Sequence, residues 1–167
     1  GNAVSTTFTI NGFFGARVIA GDTGFFLNDE MDDFTVKPGV PNLFGLVQGE
    51  ANAIAAGKRP LSSMAPTIVT KDGHLFLVLG SPGGSRIITI TLQVILNMID
   101  HGMAPQEAVD APRIHHQWLP DRVYVEQRGL SPDTEALLRA MGYQIAEQTP
   151  WGAAELIAIG PPKPLAE

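Results

Sequence analysis

Apolar and polar positions alternate at the start of the chain. From Ala3 to Ile10, small or apolar residues trade places with Ser and Thr, the period-two pattern of a strand. Residues 11–15, NGFFG, read as a turn, and ARVIAG (16–21) and GFFLN (24–28) as two short strands about a Gly21-Asp22 turn signal. Residues 65–80, APTIVTKDGHLFLVLG, predict a hairpin that turns at Lys71-Asp72-Gly73. The pattern then changes, and Ser85 to His101 predicts a helix. Its apolar positions (Ile87, Ile88, Ile90, Leu92, Val94, Ile95, Leu96, Met98, Ile99) leave little polar face, so burial on most sides is expected. Gln93 and Asn97 interrupt the run, which is too short for a membrane span. Residues 104–114 predict a short helix stopped by Pro112, and 122–127 a strand. Residues 131–143 predict a helix with Ser131 as N-cap, Pro132 at its first position and Gly142 at its end. Two further strands, 144–148 and 153–160, close the pattern.

Strands, then two substantial helices, then strands again predict an α+β or layered α/β architecture, with hairpin connections favouring antiparallel pairing. No repeat or internal linker divides the chain, so residues 1–160 are expected to form one domain, with 161–167 as a tail. Composition agrees: 167 residues, 44% hydrophobic and 17% charged, suit one globular domain with a sizeable core. A net charge of -6 without any run of Lys and Arg argues against nucleic acid and anionic membrane surfaces as partners. The absence of cysteine excludes disulfides, Cys-based zinc sites and a Cys nucleophile. The first residues carry neither Met nor a signal pattern, and the last follow closely on a predicted strand. A processed subunit or fragment is therefore expected.

The chemistry concentrates in four stretches. GSPGGSR (80–86) joins the predicted strand HLFLVL to the predicted helix. A glycine-rich turn that opens a helix offers unpaired N–H groups and a positive dipole end to an anion. The Walker and dinucleotide spacings both fail here, so the acceptable anions reduce to a weak phosphate site or an acyl-transfer oxyanion, against the plain alternative of a tightly packed turn. NDEMDDF (28–34) is an acidic cluster that lacks the glycine of an EF-hand. KPGVPNLFGLVQG (37–49) is a loop long enough to act as a lid, and GKRPLSSMAPTIV places two adjacent hydroxyls, Ser62 and Ser63, before a strand. His115-His116 cannot easily share one ligand face, and both are expected to be structural; Trp151 is expected in local packing.

Read together, Thr9-x-Asn11, Glu30-x-x-Asp33, PLSSMxPT and GSPGG closely resemble the small, C-terminal subunit of the γ-glutamyltranspeptidases, in the N-terminal nucleophile hydrolase superfamily. The likeness runs from about Gly1 to about Gly160, and KRPLSSM, GSPGGSRI, MDDF, KPGVPN and APRIHHQWLP extend it. PWGAAEL departs from the family pattern, as does PPKPLAE at the end.

The resemblance implies a four-layer αββα sandwich with two antiparallel sheets between helices. It implies a precursor (a zymogen) that cuts itself, exposing an N-terminal Thr whose own amino group serves as base. By the family pattern that Thr lies a short stretch upstream of Gly1, so the chain by itself is expected to be catalytically incomplete. Thr9 is expected to orient the nucleophile. Asn11, Glu30 and Asp33 are expected to hold the α-ammonium end of a γ-glutamyl group, and Ser62 and Ser63 its α-carboxylate. Gly83 and Gly84 would supply the oxyanion donors, and Phe44 the aromatic tip of the lid. The implied substrates are glutathione or other γ-glutamyl compounds, with an amino acid, a peptide or water as acceptor. The implied partner is the large subunit of the same precursor, which supplies an Arg to the carboxylate clamp. No metal or cofactor and no membrane insertion are expected, and the expected location is periplasmic or extracellular. Two other readings stand beside this one. The first is a cephalosporin (glutaryl) acylase or a poly-γ-glutamate-processing relative on the same fold; the second is a non-catalytic binding domain.

Overall fold

A computed structural model describes residues 1–160, and the tail at 161–167 lies outside the described residues. The hairpin forms where the pattern places it. β1 (Thr67–Lys71) pairs antiparallel with β2 (His74–Gly80). Asp72 (φ 52°) and Gly73 (φ 77°) both take positive φ, as a two-residue turn requires to match the strand twist. A second pairing, with β6 (Glu155–Ala158), leaves β2 in the middle of a three-stranded antiparallel sheet. Leu77, Val78 and Leu79 are all buried, which explains the unbroken apolar run of this strand.

α1 (Ile87–Ile99) lies on that sheet. Val94 packs with Leu77, Leu79 and Ala108 into the main core, and Ile90 is fully buried. The opposite face differs from the sequence expectation. Ile88 and Leu92 are about half exposed, at 54% and 51%, so in this chain the helix is buried on one side and apolar on both. α2 (Pro105–Asp110) packs beside α1 and puts Ala108 into the core; its first turn is held by the Glu107 carboxylate, which accepts the Ala104 N–H at 2.9 Å.

The second sheet contains β3 (Ile114–His115), β4 (Val123–Glu126) and β5 (Ile145–Gln148), in that order. β3, absent from the sequence pattern, pairs antiparallel with β4. β4 and β5 run parallel. A parallel pair needs a crossover, and α3 (Pro132–Ala140) supplies it, so the expectation of purely antiparallel sheets does not hold for this one. Ser131 occupies the N-cap position, yet its hydroxyl bonds to Thr134 Oγ1 at 2.8 Å rather than to a backbone amide.

The first ten residues also depart from the pattern. They belong to no sheet among the described residues, and meet β2 through the Ser5 hydroxyl, which donates to Leu79 O at 2.9 Å. Of the two short strands expected at 16–28, an Ile19–Phe26 bridge and flanking backbone bonds remain. The structure thus has mixed α and β content in two small sheets. No helix among the described residues is long and apolar enough to cross a membrane.

Because Leu77 is fully buried at the centre of the core, Leu77→Ala is expected to cost about 3 kcal/mol of stability, as for other buried leucines. Denaturant midpoints of the mature protein check this. A loss below about 0.5 kcal/mol, the range of surface substitutions, would contradict the core assignment.

Candidate active site

β2 ends at Gly80 and α1 begins at Ile87, and the turn between them is bent by two glycines that no other residue could replace freely. Gly83 has φ 147° and Gly84 φ 58°. A Cβ on Gly83 would lie 3.0 Å from Ile90 Cδ1, and one on Gly84 2.5 Å from the Phe44 ring. The turn continues as a single 3-10 turn, Gly84–Arg86, and runs straight into α1. Among the described residues, no protein acceptor takes the N–H of either glycine. Two backbone donors at a helix start are therefore left for something else.

They border a cleft of about 1350 Å³. Asn11, Glu30, Asp33, Ser62 and Ser63, expected from the sequence at one site, all line it. Thr9 and Phe44 line it as well. Residues far apart in the chain are thus brought to one surface.

The acidic side is built on a 3-10 turn, Glu30–Asp33. Asp29, just before it, accepts the Gly12 N–H at 2.8 Å, and its carbonyl accepts Asn11 Nδ2–H at 3.2 Å. Asn11 itself sits at φ 70°, and its N–H donates to Thr9 Oγ1 at 2.8 Å. Thr9, Asn11 and the acidic turn are therefore one braced unit. Within it, Glu30 Oε1 is buried and has no hydrogen-bond partner. Both carboxyl groups are held above their ordinary values. For Glu30 the largest cause is burial, followed by its contact with Asp33 and the charges of Asp33 and Asp29. For Asp33 the cause is again burial, with the charges of Asp32 and Asp29, partly offset by the hydrogen bond from Glu30. Two carboxyls this close, one with an unpartnered oxygen, make a site short of a cation.

On the other side Ser63 Oγ donates to Gly84 O at 3.0 Å, which ties the PLSSM stretch to the glycine turn. Ser62 is exposed, and its Oγ accepts the Met64 N–H at 3.2 Å. Ser63 thus commits its single hydrogen to the turn.

The loop 37–49 forms a small hairpin rather than an open loop. Pro41 and Val47 make an antiparallel bridge, and Asn42 Oδ1 accepts the N–H groups of Phe44 and Leu46, each at 3.0 Å. Leu43 N–H donates to Asp32 Oδ2 at 3.0 Å, so the hairpin is fastened to the acidic turn. Its tip carries Phe44 over Gly84.

Several contributors escaped the sequence pattern. The Arg86 guanidinium lies 4.5 Å from the Trp151 ring centroid and 5.3 Å from that of Tyr124, and its Nη2 donates to Gln148 Oε1 at 2.7 Å. Trp151, expected in local packing, is indeed buried, but it also borders the cleft. A buried ion pair holds the loop that carries it. Arg113 Nη1 lies 3.2 Å from Glu126 Oε1, which accepts the Trp151 N–H at 2.9 Å, while Arg113 donates to Trp151 O at 3.2 Å. Of the adjacent histidines, His115 is buried against Thr89 and Gln117, and His116 bonds Asp121 at 3.0 Å.

Known proteins resemble this chain along nearly its whole length. The family model described as Gamma-glutamyltranspeptidase matches residues 1–166. The chain is 60% identical over 162 residues to a glutathione hydrolase proenzyme of Pseudomonas sp. (strain A14), covering 97% of this chain. It is 56% identical over 161 residues to the Escherichia coli (strain K12) protein of the same name, covering 96% of this chain. The chain spans 28% of the length of each of these relatives. A solved structure of a mutant of Helicobacter pylori gamma-glutamyltranspeptidase superposes with a TM-score of 0.94 at 56% identity, covering 98% of this chain and 88% of that one.

The acidic pair generates a stability prediction. Both groups hold protons more tightly in the folded chain than in the unfolded one. Stability is therefore lost as pH rises from the ordinary carboxylate range through the raised values. Glu30→Gln removes one of the two charges. Its melting temperature relative to the unsubstituted protein is expected to climb as pH rises above the ordinary carboxylate range. A difference that stays flat with pH in thermal scans would mean that burial and the neighbouring carboxylates do not burden Glu30.

Proposed function

The chain belongs to the gamma-glutamyltranspeptidase family, and from that premise we propose that its cleft receives a γ-glutamyl amide, such as glutathione, and transfers or hydrolyses the glutamyl group. One observation carries the proposal: a cation-deficient acidic pair and two unclaimed amides border the same cleft. A γ-glutamyl group has the complementary ends, an ammonium at one and a polarisable carbonyl at the other.

The roles follow from the chemistry. Glu30 and Asp33, with Asn11, take the α-ammonium, whose charge relieves the raised carboxyl pair. Ser62 and Ser63 take the α-carboxylate, completed by an Arg of the large subunit. This grip fixes the distal carbonyl at the N–H groups of Gly83 and Gly84. There the negative charge that develops on the oxygen during attack is met by donors already in place. The nucleophile is the N-terminal Thr of the mature small subunit, in the precursor segment before Gly1, and Thr9 orients its hydroxyl. Attack breaks the amide, the amine leaves with a proton, and the glutamyl group is held as an ester on the Thr. An amino acid, a peptide or water then takes it. Phe44 covers the site meanwhile, and a covered ester meets less water.

The same premise gives the wider setting. Residues 1–160 are the small-subunit domain, its two sheets the inner layers of a four-layer sandwich completed by the large subunit of the same precursor. That arrangement accounts for an α1 that is apolar on its exposed face. The location is periplasmic or extracellular. Glutaryl and poly-γ-glutamate substrates are less suited to this cleft. A glutaryl group has no ammonium to offer the pair Glu30 and Asp33, and a polymer has one only at its end.

The test uses the mature enzyme processed from its full precursor. Glu30→Ala and Asp33→Ala are each expected to lower kcat/KM for γ-glutamyl-p-nitroanilide by about 10- to 100-fold, the loss of a charge-assisted bond, and to leave turnover of a glutaryl analogue unchanged. Unaltered glutamyl turnover would overturn the pocket assignment. Gly84→Ala, which strains the turn and meets Phe44, is expected to lower kcat by about 100-fold or more. Retained kcat would remove Gly84 from the oxyanion site.

A further inference from the structure

The stretch HHQWLP contains a residue that the proposed chemistry does not use. Gln117 follows β3, well away in sequence from the residues assigned to the substrate. Its side-chain amide has two donor hydrogens and two acceptor positions, and all four are occupied. Nε2 donates to Phe44 O at 3.2 Å and to Leu119 O at 3.1 Å. Oε1 accepts from Ser85 Oγ at 2.8 Å and from His115 Nε2 at 2.9 Å.

The orientation of this amide is forced. Two backbone carbonyls can only accept, so the nitrogen must face them and the oxygen must face Ser85 and His115. That fixes the next link. His115 must carry a hydrogen on Nε2, and its Nδ1 lies 2.9 Å from the Thr89 hydroxyl, whose single hydrogen has both Nδ1 and Arg86 O, at 3.0 Å, within reach. Burial holds the His115 pKa below its ordinary value, in keeping with a neutral ring.

The two ends of this network matter to the cleft. Ser85 is the residue after Gly84, in the 3-10 turn that presents the free amides. Phe44 is the tip of the lid hairpin, and its ring lies where a Gly84 side chain would have been. With its N–H held by Asn42 Oδ1 and its carbonyl by Gln117, both peptide groups of Phe44 are fixed. Asn42 belongs to the hairpin itself, whereas Gln117 stands on separate structure, so Gln117 sets where the tip rests relative to the turn.

We propose that Gln117 is a positioning residue, a latch that holds the lid tip closed on the glycine turn through one fully bonded amide. It touches no reacting atom. Its effect passes through Phe44 and through Ser85, and it governs how long the site stays covered. The consequence for turnover rests on the function proposed above; the latch itself does not.

Two measurements on the mature, precursor-derived enzyme separate these claims. The first is amide hydrogen exchange of residues 37–49 without substrate. Gln117→Met keeps the bulk and removes all four bonds. Gln117→Glu keeps the acceptor facing Ser85 and His115 but turns an oxygen on the two carbonyls. Both are expected to speed exchange in the lid hairpin by about tenfold, the loss of one or two hydrogen bonds, with the β1–β2 core unchanged. Unchanged lid exchange in either folded variant would overturn the latch; should Gln117→Met fail to fold, Gln117→Glu decides alone. The second is a double-mutant cycle in γ-glutamyl-p-nitroanilide kinetics. Gln117→Glu is expected to change the transfer-to-hydrolysis ratio in the parent and to change it no further in a Phe44→Ala background. Additive effects would show that Gln117 does not act through the lid tip. Should the parent enzyme lack glutamyl turnover altogether, the proposed function fails, and the exchange result still decides the latch.

Discussion

The site depends on one constraint: the space where a Gly84 side chain would sit is taken by the ring of Phe44, 2.5 Å from that position. A side chain at that position would expel the lid tip, and at φ 58° it would also strain the turn. The absence of a Cβ lets the backbone reach the cleft with its N–H groups uncommitted. Everything around the turn keeps it in that state. β2, buried on both faces, fixes its start, and α1, anchored by Ile90 and Val94, fixes its end. Gly152 backs it closely, since a Cβ there would lie 3.2 Å from Pro82 O. The loop bearing Gly152 and Trp151 is held in turn by the buried Arg113–Glu126 pair. Burying such a pair contributes little net stability, because desolvation offsets the attraction, but breaking it strands a charge. Its value here is geometric: it places one loop behind the turn.

The opposite wall of the cleft is electrostatically frustrated in its unliganded form. Burial holds both Glu30 and Asp33 above their ordinary carboxylate values, with Asp33 and Asp29 adding to the effect at Glu30 and Asp32 and Asp29 at Asp33, and one Glu30 oxygen has no partner at all among the described residues. Such an arrangement costs stability and persists where function needs it. In the proposed reaction an arriving ammonium offsets that cost. The lid hairpin spans both walls. Leu43 is fastened to Asp32 and Phe44 to Gln117, which also holds Ser85, so the hairpin is tied to both the acidic turn and the glycine turn.

Much of this is legible in the sequence. The β1–β2 hairpin follows from Asp72-Gly73 between apolar runs, and α1 from the change of period after the glycines. The spare amides of GSPGG follow from a glycine turn that opens a helix. The grouping of Thr9, Asn11, Glu30, Asp33, Ser62 and Ser63 comes from a family likeness, and all of them line one cleft. What the sequence conceals has physical causes. The first ten residues have a strand pattern but no strand neighbour among the described residues. β3 is two residues long, too short for any periodicity. The parallel β4–β5 pair is a matter of topology, which alternation does not encode. α1 reads as buried all round, because an apolar face has the same pattern whether or not this chain covers it. Gln117 and Arg86 act through bonds to residues 73 and 62 positions away, and a local pattern holds no trace of such bonds.

The central claim concerns where the oxyanion sits. A crystal structure of the mature two-subunit enzyme carrying a γ-glutamyl boronate tests it most directly, because the boronate forms a tetrahedral adduct with the nucleophile. The expected result is one boronate oxygen within about 2.7–3.1 Å of both the Gly83 and Gly84 nitrogens, with the ammonium between Glu30 and Asp33. An adduct whose oxygens all bond elsewhere, leaving those two amides to water or to internal acceptors, would contradict it.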